Sequence, residues 1–142
     1  NSFGATHQLD LRPVMSVHAR VSHVQRVAAG QGVSYGLKRT MEQDSTVATL
    51  PLGYADGVPR GLWESGSVLI GGIRRPFAGV VTMDQIMVNC TDDAVRIGDE
   101  VVLIGAQGSE VITTNEWANK MGTIGYEIVC AISARMPRNY IN

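Results

Sequence analysis

Apolar and polar residues alternate in the stretch MSVHARVSHVQRV, which begins at Met15. Alternation with a period of two is typical of a strand that buries one face, so we predict one long first strand here. His18 and His23 lie five residues apart on this strand and are expected to point to opposite faces. Both are therefore expected to be surface residues rather than a catalytic pair.

Short apolar runs follow at intervals of roughly ten residues, each bounded by Gly, Asp or Asn, and they predict further strands. The runs are TVATLPLGY, SVLIGGIRRPFAGVV, QIMVNC and DEVVLIG. In the second run, Gly71 and Gly72 suit a hairpin turn, because both central positions of such a turn need positive φ. The stretch VVLIGAQGSEVI predicts a second hairpin with a longer loop that contains glycine.

The period changes only in the last third of the chain. Thr113 and Glu116 have capping-box spacing, and Gly122 can end a helix in the left-handed conformation, so one short helix is predicted there. A further turn or two of helix is predicted from near Thr123, followed by a closing strand ahead of Pro137. The whole pattern indicates a mainly β fold, an antiparallel barrel or sandwich with one or two short helices near the C-terminus.

Length and charge exclude several kinds of protein. The 142 residues suffice for one domain, and the twelve basic and thirteen acidic side chains nearly cancel. We therefore expect neither nucleic acid nor a membrane as a partner. No apolar run approaches the ~20 residues that span a bilayer, and the start NSFGATHQLD lacks the pattern of a signal peptide. A cytoplasmic location is expected.

The usual catalytic and metal-binding motifs are absent from the sequence. It contains no HExxH, no GxSxG, no phosphate-binding GxxxxGK and no GxGxxG after a strand. Cys90 and Cys130 stand apart without a CxxC motif or a nearby His pair, so both are interpreted as small buried apolar residues. His7 lies in the unpatterned start. No metal site is expected.

Three tyrosines and one carboxylate remain as candidates for chemistry. Tyr35 lies in VSYG, and Tyr54 lies in GYADG shortly before Arg60; such glycine-flanked turns can project a side chain beyond the scaffold. Tyr126 is near a predicted helix start, where backbone amides favour an anion. Asp84 interrupts an apolar run and needs a partner. Each also has a structural explanation: a ring that covers the core, packing or, for Asp84, either a bulge or a turn at a strand end.

Four segments carry a more specific signal. RVSHVQRVAAGQGVSYG, LPLGYADGVPRGL, FAGVVTMDQIMVN and GTIGYEIVCAISARMPR, in this order, closely resemble the C-terminal domain of alanine racemase. The resemblance extends from about Leu11 to Arg138. It implies a mainly β C-terminal domain at residues 13–142, and it identifies residues 1–12 as the remnant of the segment that joins an N-terminal α/β barrel.

The resemblance also implies an activity. Enzymes of this family are cytoplasmic bacterial homodimers that depend on pyridoxal 5′-phosphate (PLP) and interconvert L-alanine and D-alanine, which supplies D-alanine for peptidoglycan. Racemisation needs two acid/base groups on opposite sides of Cα. In the family one is the lysine that forms the Schiff base with PLP, which lies in the N-terminal domain. The other is a tyrosine from the partner subunit's C-terminal domain, and that tyrosine corresponds to Tyr35.

Further roles follow from the resemblance alone. The backbone amide of Met83 is expected to bind the substrate carboxylate, and Asp84 to shape that pocket. Tyr126 is expected to reach the PLP phosphate of its own subunit. Tyr54 and Arg60 resemble residues that line the narrow entrance for the substrate. Val80 departs from the family, because many relatives have an arginine there.

Alternatives remain open at this point. The same motifs fit a PLP racemase for serine, lysine or another amino acid, and the domain could also be a β-barrel binding module without activity. A related decarboxylase fits less well, because its family has a cysteine and an aspartate where this chain has VSYG and TMDQ. Neither Lys38 nor Lys120 resembles a Schiff-base lysine, so the chain is expected to be inactive alone.

Overall fold

The computed structural model describes residues 12–141, which form short antiparallel strands, three 3₁₀ turns and two helices. The expected joining segment 1–12, apart from its last residue, and His7 lie outside the described residues. The elements are β1 Val17–Arg20, β2 His23–Val27, β3 Gly32–Val33, β4 Arg39–Thr40, β5 Ser45–Leu50, β6 Ser67–Ile70, β7 Ile73–Pro76, β8 Ile86–Asn89, β9 Glu100–Gln107, β10 Glu110–Ile112, α1 Thr114–Met121 and α2 Gly125–Ala131; the 3₁₀ turns are Tyr35–Leu37, Tyr54–Asp56 and Arg60–Glu64.

The prediction of one long first strand is wrong, because the chain changes sheets in the middle of it. Val21 donates its backbone hydrogen bond to Asp99, beside β9, whereas Ser22 donates to Thr49 in β5. The stretch is therefore two strands, β1 and β2, and the two histidines lie on different strands in different sheets. The predicted alternation is confirmed in β1, where Val17 is buried and its polar neighbours are exposed.

The mainly β, antiparallel architecture is confirmed. Strands β1-β9-β6-β7 form one sheet, with β10 also paired to β9, strands β2-β5-β8 form a second, and β3-β4 a third. The two larger sheets are connected at one edge by the chain between β1 and β2. At the other edge a bridge joins Phe77 to Val88. This arrangement resembles a barrel, although no closed ring of strands is found among residues 12–141.

The core fills the space between the two larger sheets and the helices. Its largest fully buried side chains include Trp117 of α1, Phe77, Leu50 and Leu103. Burial of side chains of this size contributes roughly 1.5–3 kcal/mol each, so the core fixes the positions at which the surface loops leave the sheets.

Both predicted hairpins and the first helix are confirmed. Gly71 and Gly72 have positive φ in the turn between β6 and β7, and β9 turns directly into β10. That second loop is shorter than predicted, since Gln107 pairs with Glu110. Helix α1 begins after Thr113, whose hydroxyl accepts a hydrogen bond from the Glu116 amide at 3.0 Å, and ends at left-handed Gly122.

The predicted closing strand before Pro137 is wrong. After the second predicted helix, which is confirmed as α2, residues 132–140 form turns and irregular structure. The backbone amide of Ser133 donates to the carbonyl oxygen of Asp56, and Arg138 donates to nearby carbonyls of its own segment. These hydrogen bonds use backbone groups of residues 132–140, so the segment pairs with a loop instead of a sheet edge.

One cysteine prediction is also wrong. Cys90 is fully buried, as expected, but Cys130 is exposed on α2. Neither α1 nor α2 is long and apolar enough to cross a bilayer. Within residues 12–141, no cluster of three His, Cys, Asp or Glu side chains could hold a metal ion.

Candidate functional site

A groove of about 630 Å³ lies at the ends of the strands and collects most of the candidate residues. Its lining comprises Tyr35, Tyr54, Arg60, Val80, Val81, Thr82, Met83, Asp84 and Gln85. Five of the six candidates, from three separate parts of the sequence, therefore meet here. Tyr126 does not line the groove.

Tyr35 is held at the rim by a tightly constrained turn. Ser34 has a φ of 66° and Gly36 a φ of 72°, so the chain reverses sharply on either side of the ring. The Ser34 hydroxyl donates to the carbonyl oxygen of Val80 at 2.7 Å. A Cβ at Gly79 would lie 2.6 Å from the Ser34 Cβ, so this close approach requires glycine. Tyr35 is left 76% exposed.

Met83 and Asp84 occupy the tip of a turn between Thr82 and Gln85. The backbone amide of Thr82 donates to the Gln85 carbonyl oxygen at 3.0 Å, and its hydroxyl accepts from the Gln85 amide. The apolar run is thus interrupted by a turn, one of the two structural explanations considered above. The Met83 amide donates to no acceptor within the described chain, which leaves a backbone donor at the groove.

Tyr54 is attached to that same turn through backbone hydrogen bonds. Its amide donates to the Thr82 carbonyl oxygen at 2.9 Å, and the Ala55 amide donates to the Met83 carbonyl oxygen at 3.1 Å. A Cβ at Gly53 would lie 2.1 Å from the Thr82 carbonyl oxygen, so only glycine permits this contact. Tyr54 and Arg60 are both exposed along one side of the groove.

The carboxylate of Asp84 has the partner that its position demanded, and sequence reasoning missed that partner. Arg135 donates to Asp84 with 2.7 Å between Nη2 and Oδ1. The same guanidinium lies 3.4 Å from Asp56, measured from Nε to Oδ1. The hydrogen bond to Asp84, together with the nearby charge of Asp56, raises the pKa of Arg135. The sequence signalled only that Asp84 needed a partner, not that a residue fifty-one positions later would be that partner.

Asp56 was also missed, although it lies in the GYADG stretch that carries Tyr54. Its carboxylate is nearly buried and accepts from the Gly53 amide at 2.9 Å. This capping bond closes the Tyr54–Asp56 turn on itself. A carboxylate three residues after the glycine was the available signal, because acceptors at that spacing commonly close a helical first turn.

Tyr126 lies in the first turn of α2, away from the groove lining, and is exposed. Its hydroxyl has no hydrogen-bond partner in the described chain, so it is free to bind a group outside this domain. The lysines offer no such site: Lys120 pairs with Glu116 at 2.7 Å, and Lys38 is an exposed residue beside the Tyr35 turn. Val80 is buried with its side chain at the groove, which makes that wall apolar.

The arrangement suits a small molecule with a negatively charged end. An exposed phenol, an unpaired backbone amide and the Arg60 guanidinium face one groove, and carboxylates prefer donors of these kinds. The groove is open to solvent, and the phenols of Tyr35 and Tyr126 both point away from the core. This chain can therefore provide only part of a PLP site. It offers hydroxyl donors but no lysine in a suitable setting.

Comparison with known proteins shows one family. The family described as "Alanine racemase, C-terminal domain" matches residues 14–140. A curated alanine racemase from Halothermothrix orenii is 48% identical over 137 residues, which cover 96% of this chain and 36% of the relative. The chain thus spans about a third of the length of the curated relatives that it matches.

Two solved structures superpose closely on the chain. The alanine racemase of Bacillus anthracis, with bound L-Ala-P, matches with a TM-score of 0.90 and 41% identity, covering 95% of this chain and 34% of that one. The alanine racemase of E. faecalis matches with a TM-score of 0.91 and 37% identity, covering 96% and 36% respectively.

Proposed function

The chain belongs to the family of alanine racemase C-terminal domains, and from that premise we propose that it is part of a homodimeric, PLP-dependent racemase that interconverts L-alanine and D-alanine. The observation that carries this proposal is the groove that brings Tyr35, Met83 and Asp84 together with Tyr54 and Arg60. A phenol beside an unpaired amide donor is the pairing that a proton transfer next to a carboxylate needs.

Tyr35 is the acid/base group that this chain contributes. Its Oη holds or accepts the proton on one face of the substrate Cα, while a lysine of the N-terminal domain serves the opposite face. The Ser34 anchor and the positive-φ turn hold the ring in a restricted range of positions. Such positioning matters because proton transfer requires hydrogen-bond reach between the two heavy atoms.

Met83 and Asp84 hold the substrate. The free Met83 amide donates to the substrate carboxylate, which orients Cα toward the Tyr35 side of the groove. Asp84 is tied to Arg135, so its negative charge is partly neutralised and does not repel that carboxylate. Tyr54 and Arg60 line the entrance, and the apolar side chain of Val80 forms part of the same wall.

PLP, when bound, supplies delocalisation of the electron pair that is left when the Cα–H bond breaks. Tyr126 would donate its hydroxyl to the PLP phosphate within the same subunit. Its exposure and its lack of a partner in residues 12–141 support this role.

A second subunit and an N-terminal domain complete the site. Large apolar or aromatic side chains around the groove are exposed, and exposed patches of this kind mark contact surfaces; they are Tyr35, Leu37, Tyr54 and Met83. The lysine that forms the Schiff base with PLP is not among these residues, so the 142 residues alone are expected to be inactive. The whole enzyme is expected in the bacterial cytoplasm, where it supplies D-alanine for peptidoglycan.

The test uses the whole protein that contains this chain, loaded with PLP. L-Alanine is incubated in heavy water, and deuterium at Cα and the formation of D-alanine are followed together. Both should appear, and alanine should turn over faster than serine or lysine in a matched panel. Faster turnover of another amino acid would move the assignment to a different racemase, and no exchange with any of them would favour a binding module.

A further inference from the structure

We propose that Arg135 is a positioning residue that locks the Met83–Asp84 turn to the Tyr54 turn and thereby sets the affinity of the groove for the substrate carboxylate. This inference rests on the proposed function. Arg135 does not line the groove, so it acts through the two aspartates that it binds.

The guanidinium of Arg135 joins two carboxylates from different parts of the chain. Nη2 lies 2.7 Å from Asp84, at the tip of the first turn, and Nε lies 3.4 Å from Asp56, in the second. Only Arg can make both contacts from one rigid, planar group, because a lysine presents a single point charge. Without the Arg135 guanidinium, the carboxylates of Asp84 and Asp56 would face each other with no positive charge between them.

A closed circuit of hydrogen bonds runs through Arg135. Asp56 accepts from the Gly53 amide, and the residues that follow Gly53 donate to the Thr82 and Met83 carbonyl oxygens. Asp84 follows Met83 in the chain and accepts a hydrogen bond from Arg135, which closes the circuit. The amide of Met83 therefore projects from a turn that is fixed on both sides, by backbone bonds on one and by Arg135 on the other.

The segment that carries Arg135 is itself tied to the circuit. The Ser133 amide donates to the Asp56 carbonyl oxygen at 3.0 Å, and the Arg135 amide donates to the Ser133 hydroxyl at 3.1 Å. The position of the guanidinium is thus set by the backbone of Asp56 as well as by its side chain. This explains why residues 132–140 take the place of the strand predicted there.

Exposure separates a positioning role from a stabilising one. The side chains of Arg135 and Asp84 are 53% and 57% exposed, and ion pairs this open contribute little to folding stability. Loss of Arg135 should therefore leave the fold intact while the turn at Met83 becomes more mobile. A purely structural ion pair would show neither a selective change in KM nor faster local exchange.

The experiment compares three variants of the PLP-loaded whole protein: Arg135→Gln, Asp84→Asn and, as a control, Arg26→Gln. Arg26 pairs with Asp92 at 2.6 Å with side chains 52% and 75% exposed, and neither residue lines the groove. The first two variants should each raise KM for L-alanine about three- to fivefold, with a smaller fall in kcat. Arg26→Gln should match the wild type, and Arg135→Lys should recover only part of the loss.

A second readout does not depend on activity. Amide hydrogen exchange of a peptide that covers residues 82–85 should become faster in Arg135→Gln and Asp84→Asn but not in Arg26→Gln. The double variant Arg135→Gln/Asp84→Asn should be no worse than Arg135→Gln alone, because Arg135→Gln already removes the contact that Asp84→Asn removes. An unchanged KM and unchanged exchange in Arg135→Gln would overturn the proposal.

The two proposals can fail separately. If the wild-type protein leaves alanine unchanged, the proposed function fails, and the exchange measurement alone then decides the role of Arg135. Faster exchange at residues 82–85 in the variant supports the positioning role, and equal exchange rules it out.

Discussion

Ser34 donates its hydroxyl to the carbonyl oxygen of Val80 across 2.7 Å. This bond joins the turn that carries Tyr35 to the segment that leads into Met83. The two groups that the proposed mechanism uses on the substrate, a phenol and a backbone amide, are therefore held in one unit although they lie forty-eight positions apart in the sequence.

Removal of this bond should weaken catalysis. In Ser34→Ala the Val80 carbonyl oxygen loses its partner, so stability should fall by about 1–3 kcal/mol. The rate constant kcat should fall about tenfold as Tyr35 loses its fixed position. Thermal unfolding and steady-state kinetics of the whole protein measure the two effects.

Ser34→Gly is the matched control. It removes the same hydroxyl but adopts a φ of 66° without strain. Stability should fall less than in Ser34→Ala, whereas kcat should fall by a similar factor. Wild-type kcat in both variants would show that the bond does not position Tyr35.

Gly53→Ala should separate the two turns at the groove. The added Cβ would meet the Thr82 and Met83 carbonyl oxygens at 2.1 and 2.6 Å, and backbone atoms cannot yield cheaply. The cost should be about 1–3 kcal/mol of stability, with KM for alanine raised because the Met83 amide moves.

Gly30→Ala provides the comparison for that variant. Gly30 has a φ of 81°, and a Cβ added there would have no atom within 4 Å, so it reports backbone strain without a collision. Its KM should stay at the wild-type value. If chemical denaturation and kinetics show Gly53→Ala to be as mild as Gly30→Ala, the close contact between the turns does not exist.

The sequence predicted local features better than the relations between distant segments. The Gly71–Gly72 hairpin, the capped start of α1 at Thr113 and its end at Gly122 all depend on residues within one turn of each other. The sheet change at Val21 could not be predicted, because the alternation of side chains continues through it. The sheet change depends on which strand edge accepts the hydrogen bond from each backbone amide.

The same distinction holds for the site. Tyr35 and Tyr54 were identified from their glycine-flanked turns, Tyr126 from a predicted helix start, and Asp84 from its conflict with an apolar run. Arg135 was not, since its segment was predicted to be a strand and its two partners precede it by fifty-one and seventy-nine positions. A charge pair between irregular segments leaves no pattern in the sequence.

The stability of the domain should depend on pH through Glu116. Burial pushes its pKa upward, but the hydrogen bonds and charges of Lys120 and Arg74 outweigh burial and lower the pKa below the ordinary 4.5. Its contribution is therefore present above pH 4.5 and is lost as the pH falls through the lower folded-state value.

Glu116→Gln should accordingly reduce stability at neutral pH by about 1 kcal/mol or less, because the group is partly exposed. The difference from the wild type should shrink below pH 4.5. Thermal unfolding of both proteins between neutral and acidic pH measures this, with Glu42→Gln, at an exposed residue, as control. A difference that grows on acidification would contradict the ion-pair assignment.

The two cysteines should differ in reactivity. Burial raises the pKa of the Cys90 thiol, an effect that Arg75 only partly offsets, so the thiolate is scarce as well as inaccessible. Cys130 is exposed. A disulfide reagent should modify one thiol rapidly in the folded 142-residue chain and the second only after unfolding. Rapid modification of both in the native state would mean that the core around Cys90 is open.

The central claim, that Tyr35 is the acid/base group this chain supplies, is tested most directly by Cα proton exchange in a Tyr35→Phe variant of the whole protein. The variant should keep the visible absorbance of bound PLP. Exchange from L-alanine in heavy water should fall by about 100-fold or more, and exchange from D-alanine, served by the lysine on the opposite face, should fall less. Exchange from L-alanine at the wild-type rate would contradict the account.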